Sequence, residues 1–391
     1  MKTLVKTRRL LDCAGDRPTE GGCFAFEDGV ITHVGRQDDF EGMDGIGAVI
    51  DLSGFCVMPG MVDSHVHLGL SHTDSIDPMP VTKQMGEPPQ RKIAKAALYM
   101  RQHLDAGVTT LRSMGEEHFI DMELRRATEE GYMAGPRVIC SGNVITASHG
   151  QGQIGLSAAD GAEEVRRAVR RNLAMGADFI KIFVGGGVVS SEAELRRHTY
   201  NLEEISVAVA EAGMLGKYVA AHIHGGPGLD LCLRGGVRSI EHACLASDSQ
   251  IEAIAEAGAW VTGTFSPAMH PQSLRLLPPD KQERLRQVQE RILDVYGKLL
   301  RAGVPMSFGT DGVHGAIAFE AVNIGKCGAS PMQAVRFVTA EGAKACRVED
   351  KLGTLEVGKY ADFIALEDDP LENLENLGAV AATYVGGRRM K

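Results

Sequence analysis

The chain has 391 residues, of which 44% are hydrophobic and 24% are charged, a balance that excludes a disordered protein. Its apolar stretches fall far short of the about 20 residues that span a bilayer. Its net charge of −10, without a basic stripe, argues against a nucleic-acid surface. We therefore expect neither a membrane nor a nucleic acid as a partner, and the first residues lack the apolar core of a secretory signal.

Short β segments at the two ends of the chain predict a small domain to which both termini contribute. The six candidate strands, separated by Gly, Asp and Pro, span residues 3–11, 23–27, 30–34, 48–52, 362–366 and 379–385. We predict that residues 1–55 and 351–391 form one discontinuous β-sandwich.

The middle of the chain alternates between apolar strand candidates and amphipathic helices. The eight strand candidates span residues 55–67, 109–113, 137–140, 179–184, 218–222, 239–242, 260–264 and 305–309. The clearest helix covers residues 160–174, with Asp160 as its N-cap and apolar residues at helical spacing. This alternation predicts an α/β fold in which residues 56–350 form a (β/α)8 TIM-type barrel. A doubly wound sheet is the alternative, but no strand candidate runs directly into a helix through a GxGxxG turn.

The eight cysteines are scattered and contain no CxxC pair; they stand at positions 13, 23, 56, 140, 232, 244, 327 and 346. This spacing indicates neither a zinc knuckle nor a disulfide framework. We interpret the cysteines as buried thiols in a reducing compartment, and the predicted location is cytoplasmic.

Residues able to bind metal ions stand at the ends of the predicted strands. His65 and His67, two residues apart on an extended strand, point to the same face and could clasp one ion. His222, His242 and Asp311 end three further strands, where catalytic side chains of such barrels lie. A single buried histidine is usually a core residue, but the joint placement of all five predicts a metal site.

Lys181 stands inside an apolar strand candidate. An ammonium group is costly to bury, so the pKa of this lysine should fall toward that of a neutral amine at physiological pH. A neutral amine can react with carbon dioxide to form a carbamate, an oxygen ligand able to bridge two metals. The alternative is a lysine at the opposite end of the barrel that pairs with a carboxylate.

These residues and their surroundings resemble the amidohydrolase superfamily. The resemblance is carried by VMPGMVDSHVHL, Lys181, His222, His242, GTD at Asp311, and VGKYADFIAL near the C-terminus. The chain is most similar to the binuclear zinc branch, with its prolidase-like Xaa-Pro dipeptidases, carboxypeptidase-like amidohydrolases and imidazolonepropionase-related proteins. The segments EEVRRAVRRNLAMGADFIKIFVGGG, AAHIHG and SIEHA are similar to the dipeptidases in particular.

The resemblance implies two divalent metal ions, zinc above all, with manganese or cobalt as substitutes. The implied ligands are His65, His67 and Asp311 for the more buried ion, His222 and His242 for the second, and carboxylated Lys181 with a hydroxide as bridges. Two ions ~3.5–4 Å apart would hold this hydroxide at neutral pH. Asp311 would take its proton and deliver it to the leaving amine.

Three loops at the same end of the predicted barrel would set the substrate, and they span residues 71–90, 141–156 and 266–279. His149 is similar to a loop histidine that faces the substrate in the dipeptidases; the alternative is a solvated residue. His224 stands where those dipeptidases usually carry tyrosine, and it could polarise the scissile carbonyl. Arg112 could hold a substrate carboxylate or serve as a structural ion-pair partner.

We therefore predict a metal-dependent hydrolase that cleaves an amide bond in a small carboxylate-bearing substrate, such as a dipeptide or an N-acyl amino acid. Catalytic roles are expected for Asp311, His149 and His224, and substrate contacts for His149, His224 and Arg112. The alternatives are a cyclic amide, as in imidazolonepropionase-like or hydantoinase-like enzymes, a lactone, or a phosphotriester. A binding protein without metals is disfavoured by the six filled ligand positions. We also expect a homo-oligomer.

Overall fold

The computed structural model describes residues 1–73, 76, 81–150, 158–187 and 197–391, and the fold is mixed α/β. Parts of the predicted specificity loops 71–90 and 141–156 lie outside the described residues. None of the helices in the described part of the chain combines the length and the apolar character that a membrane span needs. All eight cysteines are free thiols, and each of them except Cys327 is buried.

Both ends of the chain enter one eight-stranded sheet. Its strands are β1 (Lys2–Leu10), β2 (Thr19–Glu20), β3 (Gly22–Glu27), β4 (Val30–Arg36), β5 (Ile46–Pro59), β14 (Phe363–Leu366), β15 (Val380–Val385) and β16 (Arg388–Arg389). Strand β5 joins the two ends, because it pairs with β1 in parallel and with β14 in antiparallel orientation. The rings of Phe24 and Phe363 meet edge to face, with centroids 5.0 Å apart, in the core of this domain.

Among the described residues, eight parallel strands form the middle of the molecule. A three-stranded sheet holds β6 (Met61–Val66), β7 (Val108–Ser113) and β8 (Arg137–Cys140), and a five-stranded sheet holds β9 (Ile180–Phe183), β10 (Val219–Ile223), β11 (Ser239–His242), β12 (Trp260–Gly263) and β13 (Met306–Phe308). Each lies within two residues of a predicted strand or inside it. The prediction works because parallel strands are covered on both faces and therefore read as short continuous apolar runs.

The helices follow these strands along the chain. They are α1 (Val81–Gln84), α2 (Pro89–Asp105), α3 (Ile120–Glu129), α4 (Gly161–Ala174), α5 (Leu202–Gly213), α6 (Pro227–Arg234), α7 (Asp248–Ala257), α8 (Ser266–Met269), α9 (Pro271–Arg275), α10 (Pro279–Arg301), α11 (Ile317–Lys326), α12 (Pro331–Phe337) and α13 (Ala340–Cys346). Short 3-10 helices cover Gln37–Phe40, Glu117–Phe119 and Leu374–Gly378. Helix α4 confirms the predicted helix, but the Asp160 side chain does not cap it; this carboxylate accepts hydrogen bonds from the backbone N–H and the hydroxyl of Ser148.

The chain passes from the terminal sheet to the parallel strands at Gly60. The sequence predicts one strand over residues 55–67, whereas β5 ends at Pro59 and β6 begins at Met61. A Cβ atom at residue 60 would lie 2.1 Å from Oγ1 of Thr109, so the close approach requires glycine. The boundary predicted at residue 55 consequently falls inside β5.

Backbone hydrogen bonds join the two groups of parallel strands at both of their outer edges. The N–H of Asp178, before β9, donates to the carbonyl of Cys140 on β8, and the N–H of Asp311, after β13, donates to the carbonyl of His65 on β6, both at 2.8 Å. A Cβ atom at Gly309 would lie 2.2 Å from the backbone nitrogen of His65. Glycine at this position therefore lets the ends of β6 and β13 lie side by side, each with a candidate ligand.

Candidate metal centre

His65 and Asp311 meet where β6 and β13 end. The side chain of His65 is fully buried, and its Nδ1 lies 2.7 Å from Oε2 of Glu241 on β11, which orients the ring. Its Nε2 lies 3.4 Å from Oδ1 of Asp311, and Nε2 of His67 lies 3.6 Å from the same oxygen. Burial raises the pKa of Asp311 to about 7, which suits a group that accepts and releases a proton near neutral pH.

Three histidines on β10, β11 and the segment after β10 lie on another side of the site. Nε2 of His242 lies 2.9 Å from Nδ1 of His222, and the rings of His224 and His242 are stacked with centroids 4.7 Å apart. Burial, reinforced by the neighbouring imidazoles, holds the pKa of His222 and His242 well below 6.5. Both side chains are therefore neutral, the form in which imidazole binds a metal.

Two of the candidate ligands lie on strained backbone. The φ angle is 74° at His242 and 52° at Asp311, and Ala243 follows with 52°. A positive φ is costly for a residue with a side chain, and it persists where the surrounding structure enforces it, commonly at functional sites. In both cases the strain occurs as the strand ends, where the side chain reaches the site.

The potential ligand atoms fall into two groups, each with its atoms within 4.8 Å of one another. One group contains His222, His224 and His242, and the other contains His65, His242 and Asp311. The structure thus brings predicted ligands from β6, β10, β11 and β13 together. His224, predicted to contact substrate, lies within ligand distance of two of them.

Lys181 is fully buried on β9, with its Nζ 5.3 Å from the centroid of the Phe183 ring. Nζ makes no hydrogen bond with any residue in the described part of the chain. Burial lowers its pKa to about 8, so a larger fraction of the side chain is neutral amine than in an exposed lysine. The alternative of a lysine paired to a carboxylate finds no support among the described residues.

The donor chemistry of the site fits divalent metal ions. Nε2 of His65 and Nζ of Lys181 are buried and lack a hydrogen-bond partner among the described residues, and such atoms are costly unless something binds them. Imidazole nitrogens and carboxylate oxygens suit zinc. Cys244 contacts Nδ1 of His224 at 3.0 Å, but burial raises its pKa to about 12, so it stays a thiol.

A cavity of about 510 Å³ opens onto these groups, a size typical of small-molecule sites. Among the candidate site residues, the cavity is lined by His67, His222, His224, His242 and Asp311. Much of the remaining lining is apolar and includes Leu70, Met85, Phe183, Leu276 and Ile292.

His149 does not line this cavity in the described structure. Its side chain is exposed, and it borders a separate concavity with Asp160, His198 and Glu204. The described residues therefore favour the alternative of a solvated loop residue over a substrate contact.

Arg112 is bound entirely by protein groups. It is fully buried, and its guanidinium donates to the carbonyl of Ser64 at 2.6 Å, to Oγ1 of Thr262 at 2.7 Å and to both carboxylate oxygens of Glu241 at 3.0 Å. It does not line the cavity. These contacts favour the structural ion-pair partner over the substrate ligand, and they place Glu241 between Arg112 and His65.

We expect Arg112→Met to lower the free energy of unfolding. The substitution leaves the Glu241 carboxylate buried without its cation, and breaking a buried pair in this way costs about 3–5 kcal/mol. Denaturant unfolding followed by circular dichroism measures the loss, and Arg112→Met combined with Glu241→Gln should recover part of it. An unchanged unfolding free energy with a raised KM would assign Arg112 to the substrate instead.

Two buried acids that were not predicted from the sequence support the site. Asp63 accepts hydrogen bonds from the N–H of His65 at 3.2 Å and from Oγ1 of Thr310 at 2.6 Å, so it ties the ends of β6 and β13 together. Glu241 orients His65 from β11. A signal was present, since both acids interrupt apolar strands close to a candidate ligand, as Lys181 does.

Glu320 on α11 is a third buried acid, and its contribution to stability should depend on pH. It accepts hydrogen bonds from the N–H groups of Phe265 and Ser266 at 2.7 and 2.8 Å, and burial raises its pKa from 4.5 to about 8. Between these pH values the unfolded chain has lost a proton that the folded chain keeps, so the contribution of Glu320 to stability falls as pH rises. Calorimetry should show the Tm advantage of wild type over Glu320→Gln shrinking from pH 4.5 to 8, and a growing advantage would contradict the assignment.

Comparison with known proteins gives consistent matches over nearly the whole chain. A model of the Amidohydrolase family matches residues 56–390. The ochratoxinase of Aspergillus niger is 29% identical over 370 residues, which cover 86% of this chain and 75% of the ochratoxinase. The imidazolonepropionase of Syntrophobacter fumaroxidans is 27% identical, with 88% of this chain and 83% of that protein covered.

Solved structures give the same picture. The crystal structure of a Xaa-Pro dipeptidase with methionine bound in its active site aligns over 100% of both chains, with a TM-score of 0.90 and 28% identity. The crystal structure of the A. niger ochratoxinase aligns over 100% of this chain and 95% of that one, with a TM-score of 0.89 and 27% identity.

Proposed function

The chain belongs to the amidohydrolase family, and from this membership we propose that it is a binuclear metal-dependent hydrolase acting on an amide bond. We propose as its substrate a small carboxylate-bearing amide, such as a dipeptide or an N-acyl amino acid. The observation that carries the proposal is the convergence of His65, His222, His242 and Asp311 near a cavity, together with Lys181, whose Nζ has no hydrogen-bond partner among the described residues. Its relatives support amide hydrolysis in general.

We further propose that the eight parallel strands close into the predicted (β/α)8 barrel. The hydrogen bonds from Asp178 to Cys140 and from Asp311 to His65 support closure at the two edges where the sheets end. The site would then lie at the C-terminal ends of the strands, as in other barrel enzymes. The domain limits, the terminal β-sandwich, the cytoplasmic location and the homo-oligomer stay predictions.

The proposed ligands are His65, His67 and Asp311 for one ion, His222 and His242 for the other, and carboxylated Lys181 for both. In the carboxylation, the neutral amine of Lys181 adds to carbon dioxide, a C–N bond forms and a proton leaves, so that Nζ carries a carboxylate. The lowered pKa of Lys181 supports this step. When bound, two divalent ions, zinc above all, would polarise the scissile carbonyl and lower the pKa of a bound water molecule.

The chain's own groups would move the protons. Asp311 would accept a proton from the attacking water and pass it to the leaving nitrogen. The Cys244 thiol can donate a hydrogen bond to Nδ1 of His224 at 3.0 Å, in which case the single ring proton of the neutral imidazole lies on Nε2. Nε2–H of His224 would then donate to the carbonyl oxygen of the substrate.

A cyclic amide is the second candidate substrate. It is favoured by the similarity to imidazolonepropionase over 88% of this chain. The linear substrate is preferred because the Xaa-Pro dipeptidase aligns over the full length of both chains.

Metal analysis and a substrate panel test the proposal. We expect about two equivalents of metal, loss of activity on chelation and its return with added zinc. Among N-acyl amino acids, dipeptides, hydantoins, lactones and phosphotriesters, kcat/KM should be highest for a linear amide that carries a carboxylate. Fewer than one equivalent of metal after expression with added zinc, with no turnover of any compound, would contradict it.

A further inference from the structure

Lys281 is a cation on the cavity wall that pairs with no acidic side chain among the residues that the structure describes. Lys92 and Lys281 both line the cavity, but they differ in their surroundings. Nζ of Lys92 donates to Oε2 of Glu117 at 2.6 Å and to the carbonyl of Met85 at 2.8 Å. The Lys281 side chain forms neither an ion pair nor a hydrogen bond with any residue that the structure describes.

The position of Lys281 does not stabilise its own helix. It lies in the first turn of α10, whose first residue is Pro279. The N-terminus of a helix carries partial positive charge, so a cation in the first turn is destabilising and an anion is preferred there. This half-buried lysine has no partner among the described residues, so it is placed to bind the anionic group of a ligand in the cavity.

The rest of the cavity wall indicates which kind of ligand carries this anionic group. Leu70, Met85, Phe183, Leu276 and Ile292 give it a largely apolar wall. A ligand that fits both features has an apolar body and an anionic group, and a carboxylate attracts an ammonium through a charge-assisted hydrogen bond.

We propose that Lys281 binds the carboxylate of the substrate and thereby selects amides that carry one beside a large apolar group. The inference rests on the proposed amide hydrolysis and narrows its substrate class. Arg112 was predicted from the sequence to contact the substrate carboxylate, but its guanidinium pairs with Glu241. We therefore assign the carboxylate to Lys281.

The test compares two amides that differ only in the carboxylate, N-benzoyl-phenylalanine and N-benzoyl-phenethylamine. Lys281→Met removes the charge and keeps the apolar stem, and Lys281→Glu reverses the charge. Lys298→Met is the matched control, because Lys298 lies on the same helix but pairs with Asp248 and Asp294 and does not line the cavity.

For Lys281→Met we expect kcat/KM for the acid to fall about 10- to 100-fold, the range for a lost hydrogen bond to a charged group, mainly through KM. The kcat/KM for N-benzoyl-phenethylamine, which lacks the carboxylate, should stay within about threefold of the wild-type value. Lys281→Glu should lower kcat/KM for the acid further, and Lys298→Met should leave kcat/KM for both compounds unchanged. The proposal is overturned if the ratio of kcat/KM for N-benzoyl-phenylalanine to kcat/KM for N-benzoyl-phenethylamine is the same in wild type and Lys281→Met, with metal content and Tm unchanged.

A failure of the proposed function gives a different result. If the metal-loaded wild type hydrolyses neither compound nor any amide of the panel, amide hydrolysis is wrong. Calorimetric titration of wild type and Lys281→Met with the same two compounds then decides the role of Lys281. A preference for the acid that is lost in the variant supports the role, and equal affinities of wild type for both compounds overturn it.

Discussion

Lys181→Ala should reduce bound metal from about two equivalents to one or fewer and lower kcat by more than about a hundredfold. Lys181 is buried on β9, its Nζ has no hydrogen-bond partner among the described residues, and as a carbamate it would supply an anionic ligand to the two ions. Its removal leaves the two positive charges poorly compensated, and even the loss of a residue that only supports a metal ligand commonly costs ~10–100-fold. Metal analysis by plasma mass spectrometry and steady-state kinetics measure both effects.

A small carboxylic acid distinguishes the carbamate from a packing role. Alanine leaves space at residue 181, so acetate or propionate should enter it and restore part of both the metal content and the activity. Lys181→Met is the matched control, because its side chain fills the space and should not respond to the acid. Full activity and full metal content in Lys181→Ala would rule out the bridge.

Asp311→Asn should lower amide turnover by at least the ~10²–10⁴-fold that a general acid–base group contributes. The Asp311 carboxylate lies just after β13, 3.4 and 3.6 Å from Nε2 of His65 and His67, and it is the proposed proton donor for the leaving amine. An amine must be protonated as the bond breaks, whereas a nitrophenolate leaves without a proton. Hydrolysis of an activated ester should therefore fall much less than hydrolysis of an amide.

Metal content provides the control for this comparison, since Asp311 is also a proposed ligand. We expect Asp311→Asn to retain more metal than His65→Ala, because asparagine keeps one oxygen ligand. Equal losses on the amide and on the activated ester, with metal retained, would mean that Asp311 does not protonate the leaving group, and the choice of substrate class would have to be reopened.

The strand ends that carry the site could be predicted because the signal is local. An apolar run followed by His242 or Asp311 identifies both the strand and the point where it ends. The long-range partners could not be predicted: Glu241 meets Arg112 and His65 across 129 and 176 residues, and nothing in the local pattern announces these contacts. The left-handed backbone conformation of His242 and Asp311 could not be predicted either, because glycine is the usual sequence signal for it.

Site residues on loops and at helix starts were also difficult to predict from the sequence. The resemblance assigned His149 to the substrate, yet its side chain is exposed and away from the cavity, while Lys281 lies on the cavity wall and had no motif to identify it. Loop and helix-start residues reach a site through the path of the backbone, which apolar periodicity does not encode.

The pairing of β5 with β14 has a consequence for synthesis on the ribosome. Residues 56–59 of β5 hydrogen-bond to residues 363–366, so about 300 residues must be translated before the partner strand exists. At ~5–20 residues per second, the backbone N–H and C=O groups on this edge of β5 stay unpaired for about 15–60 s. During this time they can hydrogen-bond to other chains. The yield of soluble protein in a cell should therefore depend on translation speed and on chaperones that shield this edge, even where the finished molecule is stable.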